Sequence, residues 1–106
     1  MAIQSTQLSG NTTPIFTSVN SNAITAIYIC NTGSSIVSFN MYAVKAGHSA
    51  DSQQNIIYYN VSIAPTDTYV VDTEKLILDG NDSIVASATT SGNASPVIAT
   101  VSYIGI

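Results

Sequence analysis

Apolar and polar residues alternate with a period of two along most of this chain, and such alternation predicts half-buried β-strands. In residues 35–44 the apolar side chains that share one face are Val37, Phe39, Met41 and Ala43. Tyr42 falls on the opposite, polar face of that strand. In residues 55–63 the side chains expected to face inward are Ile57, Tyr59, Val61 and Ile63. Tyr58 is then expected on the outer, polar face.

The remaining apolar runs predict further strands. Residues 23–30 are apolar on both sides, which is typical of a central strand covered on both faces. The segment 96–104 places one apolar set together, namely Val97, Ala99, Val101 and Tyr103. Other strands are predicted at residues 2–8, 14–19, 67–72, 75–79 and 82–89.

Turn residues separate these runs at intervals of roughly 8–12 residues, a spacing typical of an all-β sandwich or barrel. The predicted turns lie at residues 9–11, 31–33, 46–48, 64–66, 79–81 and 91–93. No segment carries the apolar stripe of a helix, and residues 72–75 allow one helical turn at most. We therefore predict an all-β fold, an antiparallel β-sandwich of eight to nine strands for which jelly-roll connections are one arrangement. The expected core residues are Ile27, Ile29, Val37, Phe39, Met41, Ile57, Tyr59, Val61, Val71, Leu76, Leu78, Ile84, Val97 and Val101.

The length of 106 residues allows one domain, with two regions of different expected role. We expect residues 23–106 to form the body of the sandwich. Residues 1–22 are expected to form an N-terminal arm with the first strands, which could add to the sheet edge of a neighbouring subunit. The apolar residues that would make this contact are Ile3, Leu8, Ile15 and Phe16. Ile104 and Ile106 offer a second contact at the other end of the chain.

Charge is unusually scarce. Charged residues make up 8% of the chain and hydrophobic residues 45%, with a net charge of −4, whereas a typical domain carries about 25% charged residues. Lys45 and Lys75 are the only Lys or Arg residues, so no basic patch exists for nucleic acid or anionic lipid. A surface of this kind favours a homo-oligomer or a larger assembly whose neighbours cover it.

The sequence carries no apolar run of about 18 residues, and its first residues lack the pattern of a signal peptide. We therefore expect synthesis in a cytoplasm and no membrane span.

Candidate chemistry is sparse. Cys30 is the single cysteine, which excludes an intramolecular disulfide, and its strand pattern predicts a buried structural thiol. His48 lies in a polar loop without the spacing of a catalytic triad. Residues 79–82 resemble the start of a calcium loop, but the twelfth-position glutamate is absent and a hairpin turn accounts for them. We predict no catalytic residue, no cofactor and no metal; Asp67, Asp79 and Asp82 are the first candidates should a metal be found.

Six tyrosines and no tryptophan leave two readings open. Tyr42 and Tyr58, both on polar strand faces, could form an exposed platform for a sugar. Tyrosines also suit subunit interfaces, since each supplies a large contact area and one hydrogen bond. We favour the interface. Its candidate residues are Ile3, Leu8, Ile15, Phe16, Tyr42, Tyr58, Ile104 and Ile106.

Several segments from residue 24 to the C-terminus share a further pattern. They are ITAIYICNTG at 24–33, FNMYAV at 39–44 with Gly47, NIIY at 55–58, IAPTDT at 63–68, LILDGNDSI at 76–84 and VSYIGI at 101–106. These segments resemble a family of small virion structural proteins of tailed bacteriophages, common in marine and cyanobacterial phages. They are strand and turn positions, so the resemblance implies no functional residue.

The resemblance implies a non-enzymatic virion component made in the host bacterial cytoplasm, with copies of itself and major capsid or tail proteins as its partners. Together with the scarcity of charge, it favours a homo-oligomeric capsid decoration protein. The alternatives are a tail or baseplate accessory protein, or a surface carbohydrate-binding module for host attachment.

Overall fold

The chain forms two antiparallel β-sheets packed face to face. The computed structural model describes residues 2–51, 53–71, 76–89 and 96–106, and none of these is helical. The strands are β1 (Ala2–Gln7), β2 (Thr13–Thr17), β3 (Asn22–Asn31), β4 (Val37–Val44), β5 (Ile56–Ile63), β6 (Thr68–Val71), β7 (Leu76–Leu78), β8 (Ser83–Ala88) and β9 (Val97–Gly105). The predicted all-β sandwich and its predicted strand number are confirmed. The predicted turn at 91–93 and residues 72–75, which are expected to allow one helical turn at most, lie outside the described residues.

The connections between the two sheets follow a jelly roll. The first sheet has the order β1-β9-β3-β6, and β7 pairs with β3 beyond the end of β6. The second sheet has the order β2-β8-β4-β5. Because β6 and β7 pair with successive parts of β3, they take the place of a single strand. When β6 and β7 are counted as one strand, the two sheets have the eight-strand order of a jelly roll. The sequence by itself left this arrangement open.

The hydrophobic core lies between the inner faces of the two sheets. Its largest fully buried apolar side chains are Leu8, Ile15, Ile27, Ile29, Phe39, Met41, Ile84, Val97 and Val101. The Phe39 ring packs against Tyr58 and Tyr69, with ring centroids 6.2 and 5.5 Å away. Most of the predicted core residues are confirmed as buried or as packed against this core. Ile57 and Tyr59 are the exceptions, with 42% and 66% of their surface exposed.

Bulges bring apolar side chains to the core where simple alternation would not. The register of β2 against β8 shifts between Pro14 and Phe16, and both Ile15 and Phe16 are buried. The register of β3 against β9 shifts between Ile24 and Ala26, which turns both Ile24 and Ile27 inward. An extra residue in one strand reverses the side-chain parity beyond it, so each bulge recovers an apolar contact.

Strand β5 contains a bulge that explains the error at Tyr59. Phe39 lies opposite Val61, whereas Met41 lies opposite Tyr58, so β5 has one residue more than β4 in this interval. Asn60 takes a positive φ of 50°, and its backbone N–H donates to Oδ1 of Asn40 at 2.8 Å. Asparagine tolerates this left-handed conformation better than most residues. Tyr58 therefore packs on the core instead of facing outward, and Tyr59 is the exposed residue.

Residues 2–22 belong to the sandwich and do not form a separate arm. β1 pairs with β9 and β2 pairs with β8 of the same chain. Leu8, Ile15 and Phe16 are at most 3% exposed and are part of the core. The expectation of an N-terminal arm is therefore wrong for the described residues, because β1 and β2 pair within this chain's own sheets and all its apolar candidates except Ile3 fill this chain's own interior.

Two further predictions are corrected by the topology. β3 is central in its sheet but is covered on one face only, since Tyr28 on the other face is 43% exposed. The turn at residues 79–82 joins β7 in the first sheet to β8 in the second, so it is not a hairpin turn within one sheet. Asn81 in this turn has a φ of 70°, and its backbone N–H donates to the carbonyl oxygen of Ser18 at 2.7 Å.

Asn31 is a fully buried polar side chain that joins two loops at one end of the sandwich. Its Nδ2 donates to the carbonyl oxygens of Ser35, Ile63 and Ala64 at 2.8, 3.2 and 3.2 Å. Its Oδ1 accepts from the backbone N–H of Gly33 at 3.0 Å. The Asn31 side chain, which is 0% exposed, thus has both its amide nitrogen and its amide oxygen hydrogen-bonded, as a buried polar group requires.

The first prediction concerns Asn31. Asn31→Ala should lower the free energy of unfolding by about 1–3 kcal/mol, because the buried carbonyl oxygen of Ile63 loses its donor and the bonds to Ser35 and Ala64 are lost with it. Asn31→Asp should cost more, since a carboxylate oxygen would face carbonyl oxygens. Urea denaturation at pH 7 measures both effects, and an Asn31→Asp protein as stable as the wild type would contradict the assignment.

The second prediction concerns the core. Phe39 is 0% exposed, so Phe39→Ala should lower the free energy of unfolding by about 3–5 kcal/mol. Tyr59→Ala in the same sheet is the matched control, and it should change stability by less than about 1 kcal/mol because Tyr59 is largely exposed. An equal loss of unfolding free energy in the two variants would contradict the assignment of Phe39 to the core and of Tyr59 to the surface.

Candidate interaction surface

The outer face of the first sheet is a continuous surface of uncharged residues. Strand register places Ser5, Thr100, Tyr28 and Val70 in one row across β1, β9, β3 and β6. We call this surface the uncharged face. It comprises Ile3, Ser5, Gln7, Ala23, Ala26, Tyr28, Cys30, Thr68, Val70, Ile77, Ile98, Thr100, Ser102 and Ile104, of which Ser102 is buried.

Large apolar side chains stand out from this face. Ile3 is 71% exposed and Ile77 is 67% exposed, while Tyr28 and Val70 are each 43% exposed. Two polar residues beside them, Ser5 and Thr100, form a hydrogen bond between their hydroxyl groups at 3.0 Å. A contiguous apolar surface of this kind commonly marks an interaction site.

No charged side chain that the structure describes belongs to a strand of the uncharged face. Lys45, Asp51, Asp67, Asp79 and Asp82 all occupy loops between strands. Burying the face against a partner therefore removes no described charge from water, and this spares the complex a desolvation penalty.

The outer face of the second sheet differs because the chain covers part of it. Tyr42, Val44 and Val85 are each at most 7% exposed and form a small second core with Ala50 and Ile56. The loop that carries Ala50 is held in place by Asn55, whose Nδ2 donates to the carbonyl oxygen of Ser49 at 2.8 Å. Only the first sheet leaves a broad apolar outer face to solvent among the described residues.

The predicted interface residues separate into two groups in the structure. Ile3 and Ile104 lie on the uncharged face, and Ile106, 65% exposed, follows directly after β9. Five others are engaged inside the chain, namely Leu8, Ile15, Phe16, Tyr42 and Tyr58. The prediction of an exposed Tyr42–Tyr58 pair is wrong: Tyr42 lies under the loop after β4, and Tyr58 packs against Phe39 and Tyr69.

Sequence reasoning missed Tyr28, Val70 and Ile77, which are central to the uncharged face. The signal was present in residues 23–30, whose apolar residues fall on both sides of the strand. One side of this strand, with Ile27 and Ile29, faces the core. The apolar residues on its other side therefore indicate an apolar surface exposed to solvent.

The described residues hold no cluster of three or more His, Cys, Asp or Glu side chains that could bind a metal. His48 is exposed, and its Nδ1 lies 3.2 Å from the carbonyl oxygen of Ala46. Cys30 is half-buried on the uncharged face, so the expectation of a buried thiol is corrected. A cleft of about 420 Å³ beside Ile106 contains no His, Cys, Asp or Glu among its described lining residues.

The carboxylate of Asp82 has a structural role in joining two loops. Its Oδ1 accepts from the backbone N–H of Ala46 at 2.9 Å, and its Oδ2 accepts from that of Asp79 at 3.0 Å. These two hydrogen bonds, with a smaller contribution from the positive charge of Lys45, hold the pKa of Asp82 below its ordinary value. Asp82, one of the metal candidates from the sequence, therefore has both carboxylate oxygens engaged by backbone N–H groups.

Comparisons with known proteins add no relative: no protein-family profile, no curated protein and no solved structure matches this chain. Across the described ranges, no helix has the length and apolar character needed to cross a membrane. Fold and surface together describe a jelly-roll β-sandwich with one broad uncharged outer face.

The third prediction concerns pH. A carboxylate with a lowered pKa stabilises the folded state above the pKa of the unfolded chain, and this stabilisation is lost as pH falls through the lowered value. Wild type should therefore be more stable than Asp82→Asn at pH 7, and the difference should shrink as the pH falls below about 4. Thermal denaturation across this range measures the effect. Parallel pH profiles for the two proteins would contradict it.

Proposed function

We propose that this chain is a non-enzymatic structural component of a tailed-phage virion. It acts as a homo-oligomeric decoration protein that coats or stabilises a capsid built from other proteins. The observation that carries this proposal is the uncharged face, a broad apolar surface that the described residues leave exposed, whereas the loop after β4 covers part of the other outer face.

The scarcity of charge supports an assembly role. With 8% charged residues, the chain has little to keep an exposed apolar sheet soluble, and neighbours in a particle would cover that sheet. Interfaces of permanent complexes are more apolar than ordinary protein surfaces, and their centres are poor in charged residues. The uncharged face has this composition.

Fold analogy adds modest support. Jelly rolls occur in viral capsid proteins and in lectins, among other classes, and a fold by itself does not define a function. The resemblance of residues 24–106 to small phage virion proteins favours the virion among these classes.

The same face would serve equally on a tail or baseplate, which is the principal alternative. A surface carbohydrate-binding module is less well supported, because the two tyrosines on which it relied are engaged inside the chain. The largely exposed Tyr59 and the partly exposed Tyr28 lie in different sheets and cannot form one platform.

The fourth prediction tests the proposal by co-sedimentation with purified phage heads and with purified tails. Wild-type protein should bind heads, and Tyr28→Lys should bind at least about tenfold more weakly, because a lysine would be buried without a partner at the centre of the contact. Lysine is chosen because it lowers the net negative charge, so a loss of binding cannot be attributed to added repulsion between acidic chains.

Tyr59→Lys is the matched control: it adds the same charge at an exposed tyrosine of the other sheet, and it should bind as wild type does. Circular dichroism of both variants checks the fold. Binding to tails alone would replace the capsid by the tail as the site of action. Absence of binding to heads and tails alike would contradict the proposal.

A further inference from the structure

The two sheets have four edges, and three of them carry features that discourage pairing with another strand. β2 contains Pro14 and a bulge, and β5 contains bulges with Asn60 at positive φ. The β6–β7 edge is divided into strands of four and three residues. Proline, bulges and short strands are the usual means by which proteins protect an edge.

The fourth edge, β1, carries none of these protections. It has six residues, Ala2–Gln7, with no proline, no charge and no register shift against β9. All but Thr6 are exposed. A straight, uncharged and exposed edge strand is a template for another strand.

The ladder with β9 fixes which backbone groups of β1 face this open edge. The N–H of Leu8 donates to the carbonyl oxygen of Val97 at 2.9 Å, in the same antiparallel register that places Gln4 opposite Val101. Hydrogen-bonded positions recur every second residue in such a ladder. The backbone groups of Gln4 therefore point to β9, whereas those of Ile3 and Ser5 point away from it.

We propose that two copies of this chain join through β1, antiparallel to each other, about a two-fold axis beside Gln4. Ile3 of each copy then lies opposite Ser5 of the other, and these residues exchange backbone hydrogen bonds. In this register, residues that face outward in one copy lie opposite residues that face outward in the other. The first sheet of one copy and the first sheet of the other then form one continuous sheet. This inference deepens the proposed function and rests on it, because it names the contact through which copies associate.

The composition of β1 and the uncharged face both favour a second copy as the partner. Each chain carries a net charge of −4, and contact through β1 keeps that like charge out of the interface, because none of the residues Ala2–Gln7 is charged. Pairing at β1 also places the uncharged faces of both copies side by side on one sheet. The dimer would present to a capsid twice the apolar surface of a single chain.

The test is sedimentation equilibrium of the purified protein over a wide range of concentrations. Wild type should dimerise, and Ser5→Pro should raise the dissociation constant at least about tenfold, because proline removes the N–H that faces the partner. Proline is tolerated on an edge strand where the N–H faces solvent. Ser5→Ala is the matched control: it keeps that N–H while losing the same hydroxyl contact to Thr100, and it should dimerise as wild type does.

A second measurement tests the register and does not depend on the folding of the proline variant. Gln4 would lie opposite Gln4 of the second copy at a non-hydrogen-bonded position, where Cα atoms are about 4.5 Å apart, within disulfide reach. Gln4→Cys in a Cys30→Ser background should form a cross-linked dimer on oxidation. Thr6→Cys in the same background should not, because its two copies would lie more than about 10 Å apart.

A wild-type protein that stays monomeric at every concentration would overturn this inference. So would a folded Ser5→Pro protein that dimerises normally, or cross-linking that is equal at positions 4 and 6. Because these tests use the purified chain alone, a negative result leaves head binding, and with it the proposed function, to be decided separately.

Discussion

The structure depends on one constraint: the strands must together fill the single space between the two sheets with apolar side chains. Side chains alternate strictly along a strand, so an apolar pattern that departs from a period of two must be corrected by an extra residue. The bulges at Ile15 in β2 and Thr25 in β3, and the one marked by Asn60 in β5, make these corrections. They let a chain of 106 residues fill one core from the nine strands of its described part.

The same constraint explains why the two outer faces differ. Once the inner faces are filled, residual apolar residues must lie outside. On the second sheet, the chain covers Tyr42 and Val85 with the segment that carries Ala50 and Ile56. On the first sheet Tyr28, Val70 and Ile77 stay open, in a surface without described charges. Assembly with other subunits would explain these exposed apolar residues, because an apolar sheet surface that stays exposed to water promotes aggregation.

Two polar side chains in the structure, those of Asn31 and Asp82, hold loops together through hydrogen bonds to backbone groups. Asn31 joins the loops after β3 and β5, and Asp82 joins the loop after β4 to the turn after β7. These side chains are already engaged by backbone groups. Two other features of the described structure suit association with another chain: the apolar side chains of the uncharged face and the open backbone edge of β1.

The sequence by itself determined the all-β class, the positions of the strands and most of the core, because alternation and turn residues are local signals. It could not place Tyr58 and Tyr59, because the parity of β5 depends on a bulge set by pairing with β4. It could not reveal that Leu8 and Phe16 fill the core, since an apolar strand near a terminus suits either a core or a neighbour. Which outer face is covered, and which of four edges is unprotected, follows from the order of strands in the sheets, and only the tertiary structure decides that order.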